Sequence, residues 1–319
     1  MTTPDLAPDV APHLDPGLWV VLASPFDDDL ALDVASLERQ LHLADSVSAQ
    51  GVVALGVFGE ADALSRAEQQ QVVRTVTGSS DLPVVLGLSA RTTAAAVDQA
   101  EACLEAARRP PTALMVQVSS PRADVLVEHF SKVHEATGLP VVVQDYPAVS
   151  GVSVAADVLV DVIQRCDGFV AAVKAESAPT PPAIATLATA VGAPVFGGLG
   201  GVGLVDELAC GAAGAMTGMS HPEGLRAALD AHAAGGFEAV HAAWAPWLPL
   251  ATFEGQLKVG LSIRKEVLRR RGVLTTGRVR PPAATLPPAL VPLLEQHLAL
   301  LPHTLTDTDT TGGTPWTSA

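Results

Sequence analysis

Between residues 18 and 235 the chain alternates short runs of consecutive apolar residues with longer stretches whose apolar positions recur at the helical period. The runs Leu18–Ala23, Val52–Leu55, Val84–Leu86, Leu114–Val118, Val141–Gln144, Phe169–Val173, Pro194–Phe196 and Gly214–Thr217 predict eight strands. Their apolar residues are consecutive rather than alternating, as parallel strands covered on both faces require. Patterns such as Val34–Val47, Arg66–Val76, Thr92–Ala107 and Val125–Ala136 predict the helices between them. Eight strand–helix units in one chain predict a (β/α)8 TIM barrel over residues 18–235 rather than an open sheet.

Local signals agree with these boundaries. Ser65-Arg66-Ala67-Glu68 has the form of a capping box that opens a helix. Pro83, Pro140 and Pro194 each stand just before a strand start, where a missing N–H is tolerated. From residue 236 the alternation stops. Phe237–Arg271 and Pro288–Leu301 have helical character and are joined by the Pro-rich stretch Arg280–Pro288, so residues 236–302 are expected to be a helical extension packed outside the barrel. Residues 1–17 are expected to be a flexible N-terminus, and the Thr/Gly/Asp-rich residues 303–319 a disordered tail.

With 319 residues, 48% of them apolar and 17% charged, the chain can bury a large core, and wholesale disorder is excluded. A formal net charge of −15 argues against nucleic acid or an anionic membrane as partner. The apolar stretches are all interrupted well short of the ~18 residues of a membrane span. The first residues carry Asp5, Asp9 and Asp15 and no basic run, which argues against a secretory signal. Cys103, Cys166 and Cys210 lie far apart without metal-ligand spacing. A cytoplasmic protein with reduced thiols and no metal site is the expectation.

The chain has four lysines, and one of them, Lys174, closes the sixth apolar run. Active sites of (β/α)8 barrels form at the C-terminal ends of the strands. A lysine desolvated there is a nucleophilic amine able to form an imine with a carbonyl; alternatively, it snorkels from a strand end to solvent. Gly56-Val57-Phe58-Gly59-Glu60 follows the second run directly. A turn of that kind can present backbone N–H groups to a carboxylate, although an ordinary strand-ending turn needs the same glycines. The Gly-rich stretch 197–203 follows the seventh run but lacks nucleotide-loop spacing. His221, after the eighth run, either reaches the mouth or helps start a helix.

Taken in order, these segments resemble one known family. Gly51 to Glu60 followed by Leu64-Ser65-Arg66-Ala67-Glu68, the strand end Ala23-Ser24-Pro25-Phe26, the segment Pro147 to Val152, Val173-Lys174, Gly211-Ala212-Ala213-Gly214 and Arg280-Pro281-Pro282 are similar to landmarks of the dihydrodipicolinate synthase/N-acetylneuraminate lyase family. The resemblance runs over residues 18–300. It implies class I aldolase chemistry in which Lys174 forms a covalent imine with a 2-oxo acid such as pyruvate, without a separate cofactor. It also implies a homo-oligomer, dimer or tetramer.

The departures from the family are equally specific. Gln144 stands where family members place a catalytic tyrosine, and an amide orients a substrate but does not deliver a proton. Val57 and Phe58 replace two hydroxyl residues, leaving backbone donors in that turn. Val149 stands where the synthases carry a substrate-binding arginine, and Gly200 and Gly201 where sialic-acid lyases carry an acidic pair. Glu176, two residues beyond Lys174, points to the same side if the strand continues, and Tyr146 stands in the same relation to Gln144. The expected catalytic group is therefore Lys174, Glu176, Gln144 and Tyr146, with Val57, Phe58, Gly59, Gly198 and Gly200 binding the substrate. The expected activity is that of a Schiff-base lyase making or breaking a carbon–carbon bond. A dehydratase of a 2-oxo-3-deoxy sugar acid is the alternative enzyme, and a non-catalytic 2-oxo-acid-binding protein the alternative of another class.

Overall fold

A computed structural model describes residues 13–302. Eight parallel strands close a barrel in chain order: β1 (Gly17–Val21), β2 (Gly51–Ala54), β3 (Val84–Gly87), β4 (Ala113–Gln117), β5 (Val141–Asp145), β6 (Val170–Ala175), β7 (Val195–Gly197) and β8 (Gly214–Thr217). Trp19 pairs with Gly51 on one side and Met216 on the other, which seals the first and last strands. The missing side chain at Gly51 is what admits the Trp19 ring, since a Cβ there would lie 2.8 Å from Cε3. All eight expected strands are present, with their ends shifted by at most two residues.

Two cores follow from the strand alternation. Trp19, Val21, Val53, Val85, Met115, Val142, Phe196 and Met216 fill the barrel interior. The other face of each strand, including Val20, Val52, Leu86, Leu114, Val143 and Val173, packs against the helices outside. Between β5 and β6 the register slips by one at Val141/Val142, so the consecutive Ala171 and Ala172 both join the inner core. Beyond the slip, Gln144 pairs with Lys174.

The helices α1 (Val34–Ser46), α2 (Arg66–Gly78), α3 (Thr93–Ala106), α4 (Ala123–Thr137), the short α5 (Pro147–Ser150), α6 (Ala156–Arg165), α7 (Thr180–Ala190) and α8 (Leu204–Ala209) cover the strands. Helix α2 opens on the expected capping box: the Ser65 side chain accepts from the Glu68 amide, and the Glu68 carboxylate accepts from the Ser65 amide. Helix α9 (Pro222–Trp244) is broken at Gly236, whose left-handed φ of 71° ends the barrel's last helix where the alternation in the sequence stops.

Two expectations need correction, and a third concerns residues outside those described. The segment 1–17 lies partly outside the described residues, but its described part packs against the barrel: Leu14 is buried and its amide donates to the Ala171 carbonyl at 3.1 Å. The tail 303–319 lies outside the described residues. The stretch Phe237–Arg271 is three pieces, the end of α9, α10 (Leu248–Glu254) and α11 (Gly260–Arg270), because Pro246, Pro249 and Gly255 interrupt the helical run.

The C-terminal region, moreover, does not merely pack outside. Lys265 of α11, fully buried, is ion-paired with Glu60 in the turn after β2, and Glu60 also accepts from the Arg280 amide at 3.0 Å. The Lys265 ammonium and the Arg280 guanidinium each stand 4.3 Å from the Phe26 ring. These contacts hold α10 and α11 against the C-terminal mouth of the barrel. Helix α12 (Val291–Ala299) completes the region, with Leu294 buried against Leu250, Ile263 and Val267.

Candidate active site

Lys174 is the fifth residue of β6 and points into the barrel mouth, 6% exposed. Strand β6 continues through Ala175, so the spacing of two carries Glu176 to the same side. Lys174 Nζ lies 3.1 Å from Glu176 Oε2. Gln144 Nε2 donates to that same oxygen at 2.8 Å, and the Leu199 amide donates to Oε1 at 3.4 Å. The carboxylate is thus held on both oxygens beside the lysine, and Glu176 is itself 6% exposed. Burial at this depth is tolerable for opposite charges in contact that are also hydrogen-bonded.

The mouth opens into a cavity of about 700 Å³. Lys174, Glu176, Tyr146, Val57, Phe58 and Gly200 line it, together with Leu199, Thr217, Glu254 and Arg264. Tyr146 sits between β5 and α5; burial and the nearby Glu176 charge push its phenol pKa up, so it is a hydrogen-bond donor and not a base at neutral pH. Gln144, 2% exposed, lies beneath the cavity and borders a smaller one of about 100 Å³ shared with Gln117, Arg91 and Val149.

In the turn after β2, the Gly59 amide donates to the Gly56 carbonyl and the Glu60 amide to the Val57 carbonyl. Val57 and Phe58, at the centre of the turn, line the cavity. The placement expected for Gly59 needs correction: it does not line the cavity but is buried, its carbonyl accepts from the Ser24 hydroxyl at 2.5 Å, and a Cβ would lie 3.1 Å from the Gly56 carbonyl. Gly198 is a second correction. It does not line the cavity, and a Cβ on it would lie 2.7 Å from the Glu176 carboxyl carbon, so its bareness makes room for Glu176. Gly200 does line the cavity, in a left-handed conformation with φ 72°, and its amide donates to Thr217 Oγ1 at 2.8 Å.

His221 is directed away from the cavity. It precedes α9, contacts Ser220 Oγ through Nδ1 at 2.9 Å and packs on Trp247; burial pushes its pKa down to about 3, so it is neutral. Asp145 faces away from the interior, and burial together with the Glu176 charge pushes its pKa up to about 6. Among the described residues no group of three or more His, Cys, Asp or Glu side chains is arranged to hold a metal. No helix among them is long and apolar enough to cross a membrane.

The residues that sequence reasoning missed are Thr217, Glu254 and Arg264. The last two arrive from α10 and α11, elements expected outside the barrel. Lys258, at the rim between those helices, also borders the cavity. A cationic residue in an apolar helical stretch, such as Arg264 in Gly260-Leu261-Ser262-Ile263-Arg264, was the available signal.

The chain resembles known proteins over most of its length. Residues 16–298 match the dihydrodipicolinate synthetase family model. An L-2-keto-3-deoxyarabonate dehydratase of Azospirillum brasilense is 28% identical over 283 residues, 85% of this chain and 90% of that one. A 4-hydroxy-tetrahydrodipicolinate synthase of Methanothrix thermoacetophila is 32% identical over 143 residues, and that alignment spans 45% of this chain and about half (48%) of the relative's own length. The crystal structure of a dihydrodipicolinate synthase from Rhodopseudomonas palustris superposes with a TM-score of 0.83 at 28% identity, covering 91% of this chain and all (100%) of that one. Barrel, mouth lysine and family match coincide, and the protein is a (β/α)8-barrel lyase of the dihydrodipicolinate synthetase family.

Proposed function

We propose that Lys174 forms a Schiff base with a 2-oxo acid such as pyruvate, and that the iminium is used to make or break a bond on the adjoining carbons. The observation that carries this reading is the buried contact of 3.1 Å between Lys174 and Glu176 at the cavity floor. A lysine so placed has a carbonyl-sized space in front of it and a proton acceptor beside it.

In this reading the Val57 and Phe58 amides receive the substrate carboxylate. Lys174 gives a proton to solvent or to Glu176 and attacks the C2 carbonyl; the carbinolamine then loses water to give the iminium. For aldol cleavage Glu176 accepts the proton of the C4 hydroxyl and the C3–C4 bond breaks. Its electron pair passes into the iminium, giving an enamine and a free aldehyde. Protonation of the enamine at C3 and hydrolysis of the imine return Lys174. Glu176 also faces the positive charge of the iminium, a preorganised electrostatic role. Gln144 fixes the carboxylate, and Tyr146 donates a hydrogen bond to the substrate.

Dehydration is the second reading, favoured by the similarity to the Azospirillum brasilense dehydratase over most of both chains. The iminium acidifies C3; Glu176 accepts the C3 proton to give the enamine and then delivers that proton to the C4 hydroxyl, which leaves as water as the enamine electrons form the C3–C4 double bond. Neither dihydrodipicolinate formation nor sialic-acid cleavage is assigned to this chain, because Val149, Gly200 and Gly201 offer no side chain that binds the respective substrates. The enzyme is assigned to the cytoplasm as a homo-oligomer, dimer or tetramer. It takes a small-molecule partner, neither nucleic acid nor membrane, and uses no cofactor beyond the covalent imine.

Borohydride reduction in the presence of 2-oxo acids tests the imine, and product analysis separates the two reactions. Aldol cleavage releases pyruvate and an aldehyde; dehydration keeps the carbon count. Absence of an adduct on Lys174 across a broad panel of 2-oxo acids would defeat the proposal.

A further inference from the structure

The cavity contains a cation that the imine chemistry does not use. Arg264, on α11, lines the mouth with its side chain 15% exposed. Its guanidinium carbon stands 5.4 Å from the centre of the Phe58 ring, and Nη2 lies 2.7 Å from where a Cβ on Gly200 would be. Any side chain at position 200 would therefore crowd the guanidinium, and the left-handed φ of 72° further favours glycine there.

The charge on Arg264 is incompletely compensated. Glu254 Oε2 is 3.7 Å from Nε, too long for a hydrogen bond, and both Glu254 oxygens already accept from Ser220, one from its amide and one from its hydroxyl. Nε is buried and has no hydrogen-bond partner among the described residues. Desolvation lowers the Arg264 pKa, while a guanidinium stays protonated throughout the usable pH range. A buried guanidinium with donors to spare, facing a cavity, is a receptor for an anion.

Its position says which end of a ligand it meets. Gly198 abuts Glu176 and Gly200 abuts Arg264, so the two charged groups flank one short turn. Lys174, Glu176 and Arg264 line the same cavity, so a molecule with its oxo carbon at Lys174 can direct its other end to Arg264.

We infer that Arg264 binds a carboxylate at the far end of the substrate, making this a site for dicarboxylic 2-oxo acids. The inference rests on the Schiff-base reading for the near end. A carboxylate is preferred over a phosphate because the Glu254 carboxylate beside the guanidinium opposes a dianion more than a monoanion.

The test compares half-saturating concentrations for borohydride trapping on Lys174. The diacids 2-oxoglutarate and 2-oxoadipate are set against 2-oxopentanoate and 2-oxohexanoate, monoacids of the same lengths. The wild-type enzyme should favour the diacid at one or both lengths by at least ~10-fold, the size of one charge-assisted hydrogen-bond pair. In Arg264→Met that ratio should fall to about one, and in Arg264→Lys it should lie between, because the ammonium keeps the charge and loses the fork. A wild-type ratio near one at both lengths, or a ratio that survives in Arg264→Met, would overturn the inference. If the wild-type protein forms no adduct with any 2-oxo acid, pyruvate included, the imine reading fails and Arg264 is judged by thermal shift alone. Glutarate should then raise the wild-type Tm but not that of Arg264→Met; no shift overturns the site, and a larger shift with 4-phosphonobutyrate overturns its assignment to a carboxylate.

Discussion

Gln144 Nε2 donates at 2.8 Å to the same Glu176 oxygen, Oε2, that Lys174 contacts at 3.1 Å. Gln144 thus acts on the carboxylate beside Lys174. This makes Gln144 a positioning residue. Gln144→Ala should lower turnover by roughly 10-fold or more, the cost of a hydrogen bond to a charged group, while adduct formation on Lys174 continues. The conservative Gln144→Asn, one methylene shorter, should recover little. Turnover in Gln144→Ala within a factor of two of wild type would show that Glu176 needs no such partner.

In both proposed reactions Glu176 is the group that would carry the proton. Glu176→Gln keeps the shape and removes the titratable group, so turnover should fall by at least ~10²-fold while borohydride still traps the imine on Lys174. Near-normal turnover in that variant would move the role to Tyr146, to a bound water or to the substrate itself.

Helix α11 is anchored beside the mouth by the buried pair Lys265–Glu60. Lys265→Met leaves the Glu60 carboxylate buried without its ammonium, and unfolding by urea should show a loss of about 3–5 kcal/mol. The double variant Lys265→Met/Glu60→Gln should regain part of that loss. A single variant as stable as wild type would mean that the pair does not anchor α11.

Two buried carboxyls should cost stability as pH rises from acid to neutral. Glu207, 1% exposed, receives a hydrogen bond from Thr180 on one oxygen, and burial pushes its pKa up to about 7. Asp145 moves up to about 6 for the same reason. Between about pH 4 and 7 the folded protein keeps protons that the unfolded chain has already released, so this contribution is full below that window and lost above it. Glu68, held down to about 2 by Arg280, contributes in the opposite sense, and that contribution is lost only as pH falls from about 4.5 toward 2. His221, held neutral down to about pH 3 by burial, opposes the carboxyl trend below about pH 6.5. The contribution of Glu207 is therefore read as a difference: the stability of the wild type to urea, relative to Glu207→Gln, should fall between pH 5 and pH 7.5. A difference that stays constant or grows over this interval contradicts the assignment to Glu207.

The strands were legible because fully covered parallel strands are apolar at consecutive positions, and Lys174 was legible because it terminates one of them. Glu176 followed from the period of two. Arg264 and Glu254 were hidden, since nothing in a local pattern says that a late helical segment folds back over the mouth; the Lys265–Glu60 pair that brings it there joins residues far apart in the chain. The glycines show a different limit. Sequence marks Gly59, Gly198 and Gly200 alike as residues of Gly-rich turns, yet Gly59 tightens a turn, Gly198 makes room for Glu176 and Gly200 makes room for Arg264.

The most direct test of the account is the mass of the Lys174 peptide after incubation with pyruvate and borohydride. The expected result is the increment of a reduced pyruvyl imine on Lys174 alone, abolished in Lys174→Ala, with Lys258 and Lys265 unmodified. An adduct on another lysine, or none on Lys174 with pyruvate and every other 2-oxo acid tried, would contradict the Schiff-base chemistry.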